Sequence, residues 1–102
     1  MAMQLPTLTY EGIEWDEGNR EKCRKHGVSL TEIEQVLNSI RFVVDDPFGE
    51  EKRYRTVGRT HEGRHVFAVF TVRGSRLRPI SARYMHDREV ARYEQGLASL
   101  KN

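Results

Sequence analysis

The sequence predicts an α+β fold in which two N-terminal helices precede an antiparallel β-meander of three to four strands and a C-terminal helix closes the chain. Three observations carry that expectation. A capping-box spacing with helical apolar periodicity marks the first half, three β-rich runs separated by Gly-containing turns follow, and the chain ends on an amphipathic stretch. A length of 102 residues fits one domain spanning 1–102, because two cores in so short a chain would each bury too little surface to fold. Helices, meander and closing helix together point to helices packed on one face of a sheet.

Thr9 to Glu14 reads as a short edge strand, and Asp16 stands as N-cap of a helix from Glu17 to about His26, which Gly27 ends. Ser29 and Glu32 have the S-x-x-E spacing of a capping box, and Leu30, Ile33, Val36, Leu37 and Ile40 follow at helical spacing. Phe42, Val43 and Val44 form a short strand that Asp45, Asp46 and Pro47 stop, with a polar loop through Lys52. Tyr54 to Thr60 is the first long strand; a turn over His61, Glu62, Gly63 and Arg64 leads into the next, His65 to Arg73. Val66, Phe67, Ala68, Val69 and Phe70 are apolar at both parities, which makes this strand central and covered on both faces. Gly74 and Ser75 turn into the last strand, Leu77 to Tyr84, where Ile80 and Ala82 face one way and Ser81 and Arg83 the other. The final helix, from about Asp87 as N-cap to Lys101, places Val90, Tyr93, Leu97 and Leu100 on one stripe.

Composition narrows the function classes. The chain is 37% hydrophobic and 31% charged with a mean hydropathy of −0.70, as expected of a soluble globular protein with a thin core. No apolar run approaches the roughly 20 residues of a membrane helix, and Met1 to Thr9 lacks the basic-then-apolar order of a secretory signal, so the expected compartment is the cytoplasm. One cysteine, Cys23, forms no internal disulfide, and it and four scattered histidines have no zinc-ligand spacing. His61 and His65 flank a tight turn with no third ligand, so neither a metal nor another cofactor is expected. Charge is divided unevenly. Met1 to Glu51 holds five basic against eleven acidic residues, a net of −6, whereas Lys52 to Arg92 holds eleven basic against three acidic, a net of +8. Ten of those eleven are arginines, whose planar fork matches phosphate and stacks on bases. The second half is suited to an anionic polymer.

Between Glu14 and Glu94 several short motifs occur in order. They are Glu14-Trp15-Asp16, Lys25-His26-Gly27-Val28, Asp46-Pro47, Gly58-Arg59, and a C-terminal block of Ile80-Ser81-Ala82-Arg83, Arg88-Glu89 and Tyr93-Glu94. In this the chain resembles the BrnT family of toxins over about four fifths of its length. It departs from the family's commoner pattern in its extended N-terminus before Tyr10 and at Cys23, which hints at looser packing of the first helix. The resemblance implies a RelE-like fold and a type II toxin that cuts RNA. It also implies neutralisation by BrnA, a ribbon-helix-helix antitoxin through which DNA is bound indirectly. Self-association is left open, and no membrane partner is expected.

Cutting RNA without a metal requires an acceptor for the 2′-OH proton, cations for the charge on the scissile phosphate, and an acid for the leaving 5′-oxygen. Arg83, opposite in parity to Ala82, is the leading candidate for transition-state stabilisation, against a structural ion pair to Glu89. Arg59 and His61 end the first long strand, and His61 is a candidate acid or base. His86, just before the last helix, is a candidate for the same site. Arg53 and Arg55 are candidates for guiding the RNA backbone and Tyr84 for stacking on a base, although its parity with Ala82 favours the core. Trp15 reads as a core anchor and His26 as a helix-terminal residue. The competing readings are a non-catalytic Arg-rich nucleic-acid-binding or co-repressor module, and an interaction protein whose basic face pairs with an acidic peptide.

Overall fold

The computed structural model describes residues 10–47, 49 and 51–100, with side chains through Gly96. Thr9, Lys101 and the side chains of Leu97 and Leu100, which the sequence placed in an edge strand and a final stripe, lie outside the described residues. The first helix, α1 (Glu17–Arg24), starts where a reciprocal capping box forms. Asp16 Oδ1 accepts the Asn19 N–H at 2.9 Å, and Asn19 Oδ1 accepts the Asp16 N–H at 2.7 Å, satisfying donors that a helix start otherwise leaves open. It ends at Arg24, short of His26, and Gly27 turns the chain at φ 88°, where a Cβ would be strained. In α2 (Leu30–Leu37), Ser29 and Glu32 form the expected box, each accepting the other's backbone N–H at 3.1 Å. Ile33, Val36 and Leu37 point inward; Ile40, read as part of this helix, packs on the core from the segment after it.

Among the described residues five strands form one sheet, β1 (Gly12–Ile13), β2 (Val44–Asp46), β3 (Arg53–Arg59), β4 (His65–Arg73) and β5 (Arg76–Tyr84), in the order β1-β5-β4-β3-β2. The meander β3-β4-β5 was legible, and β4 is indeed central, with Val66, Ala68 and Phe70 buried on one face and Val69 and Thr71 on the other. Three details differ. β1 is two residues long and pairs in parallel with β5, Gly12 opposite Arg76 and Ile13 opposite Leu77, a long-range pairing that no local pattern encodes. β2 includes Asp45 and Asp46, which the sequence treated as strand breakers; they lie opposite Tyr54 and Arg53, and charged residues are at home on a sheet edge. In β5 the alternation breaks. Ser81 lies opposite Val69 while Pro79 lies opposite Phe70, so Ile80 falls out of register and stays half-exposed while Pro79 is buried. Pro79 has no N–H to give the ladder, and a bulge beside it absorbs that loss.

The core lies between the sheet and α1 and α2, where Cys23, Val28, Ile33, Val36 and Leu37 meet Val66, Ala68, Phe70, Leu77 and Ala82. Cys23 is fully buried, and burial pushes its thiol up to about 11. Gly58 explains its motif: a Cβ there would stand 3.0 Å from Val36 Cγ1, so its absence lets α2 lie against β3. Trp15 packs on the core and donates Nε1–H to Glu34 Oε2 at 2.9 Å.

The third helix, α3 (Asp87–Leu100), begins at Asp87 itself and is anchored on the opposite face of the sheet. Glu89 bonds Arg83 and Glu94 reaches His65, and both partners alternate with the core-facing Ala82 and Val66. The expectation of all helices on one face is thereby corrected. The Arg83–Glu89 ion pair, the His65–Glu94 contact and the packing of Tyr93 on Phe42 and His65, none of which periodicity reveals, join this helix to the sheet.

Candidate active site

Strand alternation builds the site. On β3, residues 54, 56 and 58 face the core, which turns Arg53, Arg55, Val57 and Arg59 to the face that α3 partly covers. His65 and Phe67 on β4, and Ser81 and Arg83 on β5, share that face. At one end of the sheet a cavity of about 310 Å³ gathers Arg41, Arg59, His65, Tyr93 and Glu94. His65 Nε2 lies 3.2 Å from Glu94 Oε1, and the His65 side chain is only 10% exposed. Its edge meets the Tyr93 ring at 5.8 Å, and Tyr93 stacks on Phe42 at 6.1 Å. Burial raises the pKa of the Tyr93 phenol, against the opposing pull of the Arg41 and Arg59 charges. A partly enclosed imidazole beside a carboxylate, a protonated phenol and two guanidiniums can accept a proton, donate one and neutralise a phosphate.

Arg83 is engaged differently. Its Nη1 and Nη2 donate to Glu89 Oε1 and Oε2 at 2.7 and 2.8 Å, and its guanidinium lies 5.0 Å from the Phe67 ring centroid. Glu89 also accepts the His86 backbone N–H at 2.9 Å. The Arg83 hydrogen bond foremost, then that backbone bond, hold the Glu89 carboxyl at about 2 against an ordinary 4.5. The ion pair therefore contributes fully above the ordinary carboxylate range and is lost as pH falls through the folded value. The melting-temperature difference between the protein and its Glu89→Gln variant is expected at neutral pH and to vanish between pH 4.5 and 2. A difference independent of pH would show that the pair does not hold α3.

The other sequence candidates are divided among distinct places. His61 is exposed in the β3–β4 turn, its backbone N–H bonded to Gln35 Oε1 at 2.9 Å. His86 is exposed just before α3, near the sheet end that carries Arg59 and Arg83. Arg55 reaches Asp46 at 3.5 Å and, with Arg53, continues the basic row away from the cavity. Tyr84 lies on the core face that α1 and α2 cover, donating its hydroxyl to Glu32 Oε1 at 2.5 Å beneath Arg64, whose guanidinium is 3.4 Å from the ring centroid. The structure thus separates Tyr84 from the arginine row. Sequence reasoning passed over Arg41, His65, Tyr93 and Glu94 as site residues. The available signal was a histidine in an apolar strand, turned to the same face as Arg59, together with the Tyr93-Glu94 pair in the C-terminal block.

Among the described residues no three His, Cys, Asp or Glu side chains converge as metal ligands, and no helix is long and apolar enough to cross a membrane. A small α+β chain whose basic sheet face ends in a cluster of His, Glu, Tyr and Arg side chains has the groups that binding and processing an anionic polymer require. A family model described as the ribonuclease toxin BrnT of type II toxin-antitoxin systems matches residues 15–89. The chain belongs to that family, whose toxins act on RNA and are paired with an antitoxin. No curated protein matches it.

Proposed function

We infer that the protein is a metal-independent endoribonuclease that cuts RNA by attack of the 2′-OH on the adjacent phosphate. The observation that carries this reading is the His65–Glu94 pair at 3.2 Å, in one cavity with Arg59, Arg41 and Tyr93. In this reading His65 takes the 2′-OH proton while the Glu94 carboxylate, 3.2 Å from Nε2 though not in hydrogen-bond geometry, offsets the charge the imidazole acquires. Arg59 and Arg41 hold the scissile phosphate and stabilise its added negative charge. Tyr93, kept protonated by burial, gives its proton to the leaving 5′-oxygen. Arg55 and Arg53 extend the contact along the RNA backbone. Arg83 serves by fixing α3, with His86 at the same joint. His61, exposed in the turn, stands as the reserve acid or base, and Tyr84 has no part.

The protein acts in the cytoplasm as one domain, with a BrnA-like ribbon-helix-helix antitoxin as partner and DNA bound only through it. Arg41 and Arg59, exposed at the cavity, take the electrostatic task that a metal would otherwise perform. The test is cleavage of RNA by the isolated protein in excess EDTA, with analysis of the product ends. The expected result is undiminished cleavage that leaves 2′,3′-cyclic phosphates, and RNA binding that weakens steeply with salt. Strict dependence on added magnesium, or binding without turnover, would overturn it; the latter outcome favours a non-catalytic co-repressor.

A further inference from the structure

The face that α3 partly covers also carries an apolar groove of about 340 Å³, floored by Phe42, Val44, Val57 and Phe67 and walled by Arg55. All four apolar side chains are only half-buried. The neighbouring Arg41 and Arg59 are exposed and make no ion pair among the described residues, and Arg55 meets Asp46 only at 3.5 Å. An apolar floor with a cationic rim asks for an occupant of matching character. We propose that this groove is the docking site of the antitoxin, and that it takes an acidic amphipathic segment whose apolar side chains cover Phe42, Val44, Val57 and Phe67 while its carboxylates pair with Arg41, Arg55 and Arg59.

Charge complementarity and the chemistry of the floor select this occupant over RNA. Of the floor, Phe42 already stacks on Tyr93 and Phe67 faces the Arg83 guanidinium, while Val44 and Val57 offer no π face, and phosphate contact with the rim leaves the apolar floor in water. An amphipathic segment satisfies both at once, in the way that helices seat an apolar face in a groove. The position has a functional consequence. Val57 lines both the groove and the His65 cavity, and Phe42 stacks on Tyr93. A segment seated here stands beside the cavity mouth and occupies Arg59, so antitoxin and RNA exclude one another. The inference rests on the family's having an antitoxin and not on the roles given to His65 and Glu94.

The test measures by calorimetry the affinity of a purified BrnA-like antitoxin for the protein and for Val44→Asp, with RNA cleavage by each toxin assayed alone. Val44 lines the groove but not the cavity. The expected result is antitoxin binding weakened about 30-fold, as for loss of one central apolar anchor, with RNA cleavage lowered only several-fold, since a carboxylate at position 44 lies opposite Arg55 of the backbone-guiding row but outside the His65 cavity. Unchanged antitoxin affinity would overturn the proposal. So would loss of RNA binding with antitoxin binding retained, which would give the groove to RNA. If circular dichroism shows Val44→Asp unfolded, Val44→Thr keeps a β-branched side chain on the strand and is expected to weaken the antitoxin several-fold. Unchanged affinity of that variant has the same meaning. Calorimetry reads binding directly, so a toxin that proves unable to cleave RNA still tests the groove.

Discussion

Replacing His65 with glutamine is expected to lower RNA cleavage by about 10³-fold with little change in melting temperature. The size follows from the role, since removing a positioned proton acceptor forfeits the roughly 10²–10⁴-fold that general base catalysis contributes. Stability is expected to survive because the partner carboxylate of Glu94 is about half exposed, at 53%, and a polar contact so open to water contributes about 1 kcal/mol or less. Glu94→Gln should cost less, about 10²-fold, because it leaves the imidazole in place and removes only its charge compensation. Single-turnover cleavage, read beside a thermal melt, checks both. In each variant the loss should fall on the rate of the chemical step, with RNA affinity near that of the unaltered protein. A folded His65→Gln protein that cuts RNA at the original rate would remove the His65–Glu94 pair from catalysis and move the base to His61 or His86.

Arg83→Ala is expected to lower cleavage by about 10²-fold, through α3 and not through lost contact with the phosphate. The two-pronged bond to Glu89 fills the guanidinium fork and ties the first turn of α3 to β5. Five residues further along the same helix is Glu94, so a loosened first turn lets the carboxylate drift from His65. A misplacement of about 1 Å is enough for a loss of this size. The discriminating experiment removes the other partner. If Arg83 acts by positioning, Glu89→Gln lowers cleavage as Arg83→Ala does, and the exchanged pair Arg83→Glu with Glu89→Arg restores much of it. If Arg83 touches the scissile phosphate, freeing it by Glu89→Gln leaves cleavage intact or raises it, and the exchanged pair stays inactive. Melting temperatures of all three variants distinguish a displaced helix from an unfolded protein.

Local chemistry explains which elements were legible. The box of Ser29 and Glu32 is a contact between residues three apart, and the apolar run of α2 repeats over one surface, so both are written in contiguous residues. The same holds for the β3-β4-β5 hairpins, whose turns contain glycines at positive φ, Gly63 at 88° and Gly74 at 58°. Alternation failed where covalent structure intervened. Pro79 breaks the ladder and puts Ile80 out of step, yet Ala82 and Arg83 beyond the bulge keep the opposite faces inferred for them. Arg83 shows the limit at a site. Its outward parity was visible, but both a phosphate contact and an ion pair to Glu89 fitted that parity.

By itself the sequence determined the α+β order of elements, the central position of β4, the arginine-rich character of the second half and membership in the BrnT family. Each depends on neighbours along the chain or on summed composition, where short-range periodicity and capping dominate. Only the tertiary structure decided that β1 pairs with β5, that α3 crosses to the face opposite α1 and α2, and that Arg41, Arg59, His65, Tyr93 and Glu94 share one cavity. Arg41 and Glu94 lie apart in the chain, and their meeting depends on strand register, on the Arg83–Glu89 ion pair and on the packing of Tyr93 against Phe42 and His65, through contacts between residues distant in sequence.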